Sequence, residues 1–276
     1  MRSRPGSITS TVSRRLSALE EEIGSTLFRR TPEGLAFTEA GEQAATTAEQ
    51  MERSTAGLLG KLAGADDKLE GVVRFTLPEG FIPRVLPEVQ QLAERHPGLR
   101  VELLSNPQPL DLQRGEADVA LRLMRPTQAG LICRFLCKIG WSLYASDAYL
   151  KRKGLLSTVG DLSGHEVVAY EEQLKNTPGQ RWLDEKGRGG TVVLRGTTMR
   201  SVHLAMEQGV GLGTMPCFVA SFEPKLRRMT PETVAHGEAY FVTTPDLQKL
   251  QRVRAVADVL VAMFERDRAL YEGALG

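Results

Sequence analysis

Few residues in this chain have the type and spacing to make or break bonds. There are four histidines, His96, His165, His203 and His236, and three cysteines, Cys133, Cys137 and Cys217. None of the histidines stands in a recognisable motif with a nucleophile, and none has a metal-ligand spacing. His96 precedes a proline at an expected helix end, where capping or solvent exposure is the ordinary role. Cys133 and Cys137 lie four apart and Cys217 follows Pro216, but no histidine cluster accompanies them. Buried thiols acting as small apolar side chains are the preferred reading. Cys217 as a nucleophile lacks any marked activating base. No metal or cofactor is expected, and an enzyme is the disfavoured class.

The chemistry that the sequence does advertise is recognition, and it begins in the first thirty residues. They hold six arginines against three glutamates, a local +3 in a chain whose net charge is only +1. Val12, Leu16, Leu19 and Ile23 recur at helical spacing, which predicts one apolar stripe ending at Gly24. Ser13, Arg14, Ser17 and Glu21 occupy the opposite face, with Arg15 on its flank. "TLFRRTPEGLAFT" (26–38) reads as two strands around a Pro-Glu-Gly turn, with Arg29 and Arg30 beside its tip. A hairpin of this kind can lie along a phosphate backbone. Thr38 is placed to cap a long helix from about residue 39 to about 62. On it Ala44, Ala48, Met51, Thr55, Leu58 and Leu62 alternate spacings of four and three, the pattern of a helix-pairing seam. "AGADDKLEG" (63–71) reads as a hinge. The seam predicts a dimer.

"STVSRRLSALEEEIGSTLFRRTPEGLAFTEAG" resembles the LysR-type transcriptional regulators over the recognition helix, the wing and the start of the linker helix. The resemblance implies that Ser10, Thr11, Ser13, Arg14 and Arg15 face DNA and that Arg29 and Arg30 contact phosphates. It also implies a first helix, and most of a second, ahead of the point where "MRSRPGSIT" stands. Those helices would cover the stripe of Val12, Leu16, Leu19 and Ile23. The expected domains are therefore a partial winged helix-turn-helix over 1–38, a linker and dimerisation helix with hinge over 39–66, and an effector-binding domain over 67–276.

From Gly71 strands alternate with helices, which favours a parallel sheet covered on its faces. Strands are expected at 71–77, 99–105, 117–123, 165–170, 191–196 and 237–244. Helices are expected at 81–97, near 199–208 and over 250–273. "GEADVALRL" (115–123), "LYASDAYLKRKG" (143–154), "MEQGVGLGTMP" (206–216) and "RVRAVADVL" (252–260) follow the running pattern of the same family. The fold class is thus α/β: a truncated winged helix-turn-helix and a long linker helix, followed by a two-lobed effector domain like a periplasmic binding protein. Lobe I is expected at about 71–143 and 244–276, and lobe II at about 144–243. Ligand then belongs between the lobes, at the carboxyl ends of the strands. The turn of Pro78, Glu79 and Gly80 is one candidate lining, and Ser105 and Asn106 are a second. Thr198, Met199, Arg200 and Ser201 are a third, where Arg200 and free N–H groups suit a carboxylate. The alternative reading is that Thr198 is only a helix cap and Arg200 only a solvated charge. Glu79 opposes an anion unless Arg84 or Arg122 offsets it.

The expected function is a ligand-responsive, DNA-binding transcriptional regulator, acting as a homodimer or dimer of dimers. Its expected partners are double-stranded promoter DNA, a small-molecule effector and itself. No apolar run reaches membrane-spanning length and the N-terminus has no apolar signal core, so a cytoplasmic location is expected. Two alternatives stand beside it: a chain that binds ligand or dimerises without reading DNA, and an enzyme on the two-lobed scaffold.

Overall fold

A computed structural model describes residues 8–32, 34–45, 47, 48, 51, 69–106 and 108–274, with the side chains of 8–13 and 30 outside that description. The chain divides into two compact units, Met1–Ala65 and Asp66–Gly276.

In the first unit α1 (Ile8–Ile23) stops at Gly24, whose φ of +69° suits the left-handed end of a helix. Glu20 ties the helix to the start of the hairpin, since its Oε1 accepts from the N–H groups of Leu27 (2.7 Å) and Phe28 (3.0 Å). β1 (Phe28–Thr31) and β2 (Gly34–Phe37) form the expected hairpin, in antiparallel register from Phe28 opposite Phe37 to Thr31 opposite Gly34. Thr38 performs the capping its position predicted: its Oγ1 accepts from the Gly41 N–H at 3.0 Å. The same hydroxyl donates to the Thr26 carbonyl at 2.6 Å, so one side chain ties the linker helix to the hairpin's base. Helical residues follow at 39–45, 47, 48 and 51.

The second unit is organised by one seven-stranded sheet with a smaller sheet beside it. β3 (Gly71–Thr76) runs parallel to β4 (Leu99–Leu104) and to β5 (Val119–Arg122). β11 (Ala235–Thr243) pairs antiparallel with both β5 and β6 (Ile132–Ser146). Beyond Trp141, β6 exchanges that partner for β9 (Gly213–Pro216) and β10 (Leu226–Arg228). β6 and β11 therefore run through both lobes. Lobe II is completed by the parallel pair β7 (Glu166–Tyr170) and β8 (Thr191–Gly196). The helices are α2 (Ile82–Arg95), α3 (Asp147–Lys153), α4 (Pro178–Lys186), α5 (Met199–Glu207), α6 (Cys217–Ala220), α7 (Gln251–Arg266) and α8 (Arg268–Tyr271), besides the linker helix. One buried cluster joins Phe75, Val119 and Leu121 of lobe I to Trp141, Val202, Met206 and Met215 on the other side.

Two elements depart from expectation. The fifteen-residue β6 was not foreseen, because its last eight residues are all buried and leave no alternation to read. The helix expected over 250–273 is broken at Asp267. The break turns Tyr271 into an aromatic cluster, with ring centroids 4.4 Å from Phe264 and 5.2 Å from Phe218.

Gly41 lies in the linker helix with no room for a side chain, since an added Cβ would overlap the carbonyl oxygen of Leu27. Gly→Ala inside a helix ordinarily stabilises by about 1 kcal/mol. Here the sign should reverse: Gly41→Ala is expected to destabilise the first unit by about 1–3 kcal/mol. Denaturant unfolding and hydrogen exchange at residues 20–45 are the check; unchanged or slower exchange there would refute the packing argument.

Candidate functional site

In the first unit Arg14 and Arg15 are exposed on α1 and Arg29 is exposed on β1, so three of the expected DNA contacts face solvent. The side chains of Ser10, Thr11, Ser13 and Arg30 lie outside the described residues. The apolar stripe is only partly covered: Leu19 is 41% exposed and Ile23 52%. Of the dimerisation set, Ala44 is half-buried and Ala48 and Met51 are exposed. Thr55, Leu58 and Leu62 lie outside the described residues.

In the second unit the expected lining segments are positioned by strand ends. β3 and β4 are in register from Gly71 opposite Leu99 to Thr76 opposite Leu104, so Pro78–Gly80 and Ser105–Asn106 leave the sheet side by side. The 3-10 turn Glu79–Phe81 opens α2, and buried Phe81 anchors it with its ring 4.4 Å from Phe218. Glu79, Ser105 and Asn106 are exposed. From lobe II, Thr198 is the N-cap of α5. Its Oγ1 accepts from the Ser201 N–H at 3.1 Å, while Ser201 Oγ donates back to the Thr198 carbonyl at 2.8 Å. The capping role of Thr198 is thus present.

The two lining segments meet. A Cβ built on Gly80 would lie 3.1 Å from Val219 Cγ2 and 3.3 Å from Met199 Sδ. The turn of lobe I therefore sits against the start of α5 of lobe II, and the missing side chain at Gly80 permits the approach.

The charges differ from the sequence expectation. Neither arginine proposed to offset Glu79 is directed at it. The Arg84 guanidinium lies 4.5 Å over the Phe222 ring and donates to Ser221 Oγ at 3.3 Å. Arg122 donates to the Leu110 carbonyl at 2.6 Å, and burial lowers its pKa. Sequence reasoning also missed His203. It is 3% exposed, with Nδ1 3.3 Å from Arg200 Nη1 and Nε2 2.9 Å from Glu223 Oε2. Its position one turn after Arg200 was the available signal.

The thiols are not poised for chemistry. Burial pushes Cys137 up to about 12 and also raises Cys217. Cys133 is half-buried against one apolar cluster, and Cys137 is buried in another. His165 Nδ1 is 3.1 Å from the Tyr149 hydroxyl, His236 Nε2 is 3.0 Å from Thr233 Oγ1, and His96 stands at the C-cap of α2. Among the described residues no group of three or more His, Cys, Asp or Glu is placed to hold a metal, and no helix is long and apolar enough to cross a membrane.

A helix-and-wing unit attached to a two-lobed α/β unit defines a class of effector-binding, DNA-binding regulators. Residues 66–265 match the family described as the LysR substrate binding domain. Residues 7–42 match the bacterial regulatory helix-turn-helix proteins of the lysR family. The chain belongs to the LysR family of transcriptional regulators, with a helix-turn-helix DNA-binding domain and an effector-binding domain, and is not an enzyme. It is 28% identical to the probable transcriptional regulator LtrA of Klebsiella pneumoniae over 269 residues, covering 92% of this chain and 86% of that one. It is 30% identical over 167 residues to the regulator CrgA of Neisseria meningitidis serogroup C, covering 59% of this chain and 55% of that one. Among solved structures, it is similar to Neisseria meningitidis CrgA, with a TM-score of 0.61 at 23% identity over 93% of this chain and 89% of that one. The Vibrio cholerae virulence activator AphB aligns with a TM-score of 0.60 at 22% identity, over 92% of this chain and 89% of that one. These two likenesses speak to the fold alone.

Two substitutions probe the cleft. Gly80→Val should push the turn off Met199, so that hydrogen exchange of residues 199–203 accelerates. Thr198→Ala should cost about 1 kcal/mol through loss of the cap, read as a lowered unfolding midpoint. Unchanged exchange in the first variant would mean that the lobes do not meet at Gly80.

Proposed function

We propose that this regulator reads double-stranded promoter DNA as a homodimer and responds to a small carboxylate held between its lobes. It acts in the cytoplasm. In this reading Ser10, Thr11, Ser13, Arg14 and Arg15 face the DNA, Arg29 and Arg30 meet phosphates, and the helix bearing Ala44, Ala48, Met51, Thr55, Leu58 and Leu62 pairs with its copy. Residues 1–38 are the head, 39–66 the linker and hinge, and 67–276 the effector domain. Pro78, Glu79, Gly80, Ser105 and Asn106 line the cleft from one lobe, and Thr198, Met199, Arg200 and Ser201 from the other.

One observation carries the effector half: the approach of the Gly80 turn to Met199 at the start of α5. That brings the N-terminal ends of two helices, α2 and α5, from different lobes about one point, and helix N-termini favour anions. An effector that binds there changes lobe closure, and closure changes how the linker helices present the heads, a population shift without chemistry.

A second reading is a chain that binds effector and pairs without reading DNA.

Gel-shift titration on DNA from upstream of its own gene, against a scrambled duplex, separates the two. Specific retention is expected, with Arg14→Ala and Arg29→Ala each reducing the salt slope by about 1. Loss of retention from folded, dimeric protein would establish the second reading. For the cleft, benzoate and other simple carboxylates in a thermal-shift assay are expected to raise the unfolding midpoint of the wild type. Arg200→Ala should respond less.

A further inference from the structure

His203 sits in α5 one turn beyond Arg200, and almost none of its surface reaches water. Its two ring nitrogens meet opposite partners. Nδ1 is 3.3 Å from Arg200 Nη1. A guanidinium has no acceptor, so this contact requires a lone pair on Nδ1 and therefore a neutral ring protonated at Nε2. Nε2 is 2.9 Å from Glu223 Oε2, yet it lacks the alignment of a hydrogen bond. The ring thus faces a carboxylate that it does not fully engage.

Glu223 belongs to a segment with a second attachment. Its two preceding residues are those that Arg84 of lobe I holds, through Ser221 Oγ at 3.3 Å and the Phe222 ring at 4.5 Å. His203 therefore stands between Arg200, at the head of α5, and the segment that lobe I grips. The other charges nearby are Glu207, one turn further along α5, and Lys225, which pairs with Glu207 at 2.6 Å. Burial is the largest influence and lowers the proton affinity of His203; Glu223 and Glu207 raise it, and Arg200 lowers it. The net direction is down, so the ring is neutral at pH 7 and gains its proton only in more acidic solution.

We propose that His203 is a proton-operated positioning residue that links the effector cleft to the contact between the lobes. Neutral, it holds Arg200 through Nδ1. Protonated, both nitrogens are donors, Arg200 is repelled toward the cleft, and the ring engages Glu223 and draws in the segment that Arg84 grips. The role of Arg200 in this scheme rests on the effector-cleft reading above; the switch between Arg200 and Glu223 does not.

The test uses the full chain with ring-¹⁵N histidine. Four histidines are few enough to assign by single substitutions to glutamine. His203 is expected to show the Nε2–H tautomer at neutral pH, with a titration midpoint below the ordinary histidine value. Arg200→Ala should raise that midpoint by about half a pH unit or more, and Glu223→Gln should lower it similarly. An Nδ1–H tautomer, or a midpoint that ignores both substitutions, overturns the proposal. The amides of Ser221, Phe222 and Glu223 donate to Cys217, Val219 and Ala220, so their hydrogen exchange reports on the segment. After correction for intrinsic rates, their protection should increase as pH falls through the His203 midpoint, and the pH response should vanish in His203→Gln. Flat protection in the wild type overturns the coupling. If His203→Gln does not fold, Glu223→Gln serves in its place, because it removes the charge that a protonated ring would engage. Failure of the cleft reading is separately visible: Arg200→Ala would then leave the benzoate response unchanged while His203 still titrated as described.

Discussion

The antiparallel pairing of β6 with β11 is the constraint on which the effector domain depends. These strands join the lobes; β11 stays paired with β6 along its whole length, and β6 alone changes partner. β11 pairs with β5 through Tyr240–Thr243, while β6 passes from β11 to β9 at Trp141. Side chains at the change of partner are fully enclosed. Trp141 is buried, and Gly179 of α4 packs on it so tightly that a Cβ would overlap the indole. A pair of antiparallel strands resists sliding, because its hydrogen bonds run across the pair.

That arrangement explains why the cleft is built from strand ends and caps. Parallel strands deliver their carboxyl ends to the same side of a sheet, and each end must hand over to a helix. At β3 the handover is the turn Pro78–Phe81, held by stacking of Phe81 on Phe218. At β8 it is the Thr198–Ser201 exchange, in which two hydroxyls satisfy the start of α5. The cap fixes the helix origin, and Arg200 just after it is exposed while its Nη1 meets His203 Nδ1.

Much of this was legible in the sequence, for specific reasons. The hairpin, the Thr38 cap and the Gly24 stop depend on local chemistry, so residue type alone announced them. Strands β3, β5 and β7 were visible as short apolar runs bounded by turn residues. β6 was not, because a strand buried on both faces has no period of two, and Gly140 within it resembles a break. Gly140 is there for a tertiary reason: a Cβ would overlap the Glu272 carbonyl. The same limit applied to the charges. Arg84 and Arg122 were named as possible offsets for Glu79, yet tertiary packing gave them Phe222 and Leu110. His203 offered only its spacing from Arg200, since its other partner, Glu223, lies twenty positions away in sequence.

The contrast between the two units follows from where their apolar side chains can go. In the effector domain one cluster crosses from lobe to lobe, so the residues that hold the lobes together also form the interior of each. Such a core cannot open fully without exposing Phe81, Phe218 and Tyr271 together, and weaker contacts lie at its margin. The margin is where Arg84 meets Ser221 and Phe222, and where Gly80 meets Met199. Contacts of this kind are individually weak. In the head the situation is reversed. Its described interior is small, centred on Leu27 beneath Gly41, and α1 leaves Leu19 and Ile23 facing solvent. Glu20 ties α1 to the hairpin, and Thr38 ties the hairpin to the linker helix, so local side-chain devices order the described head.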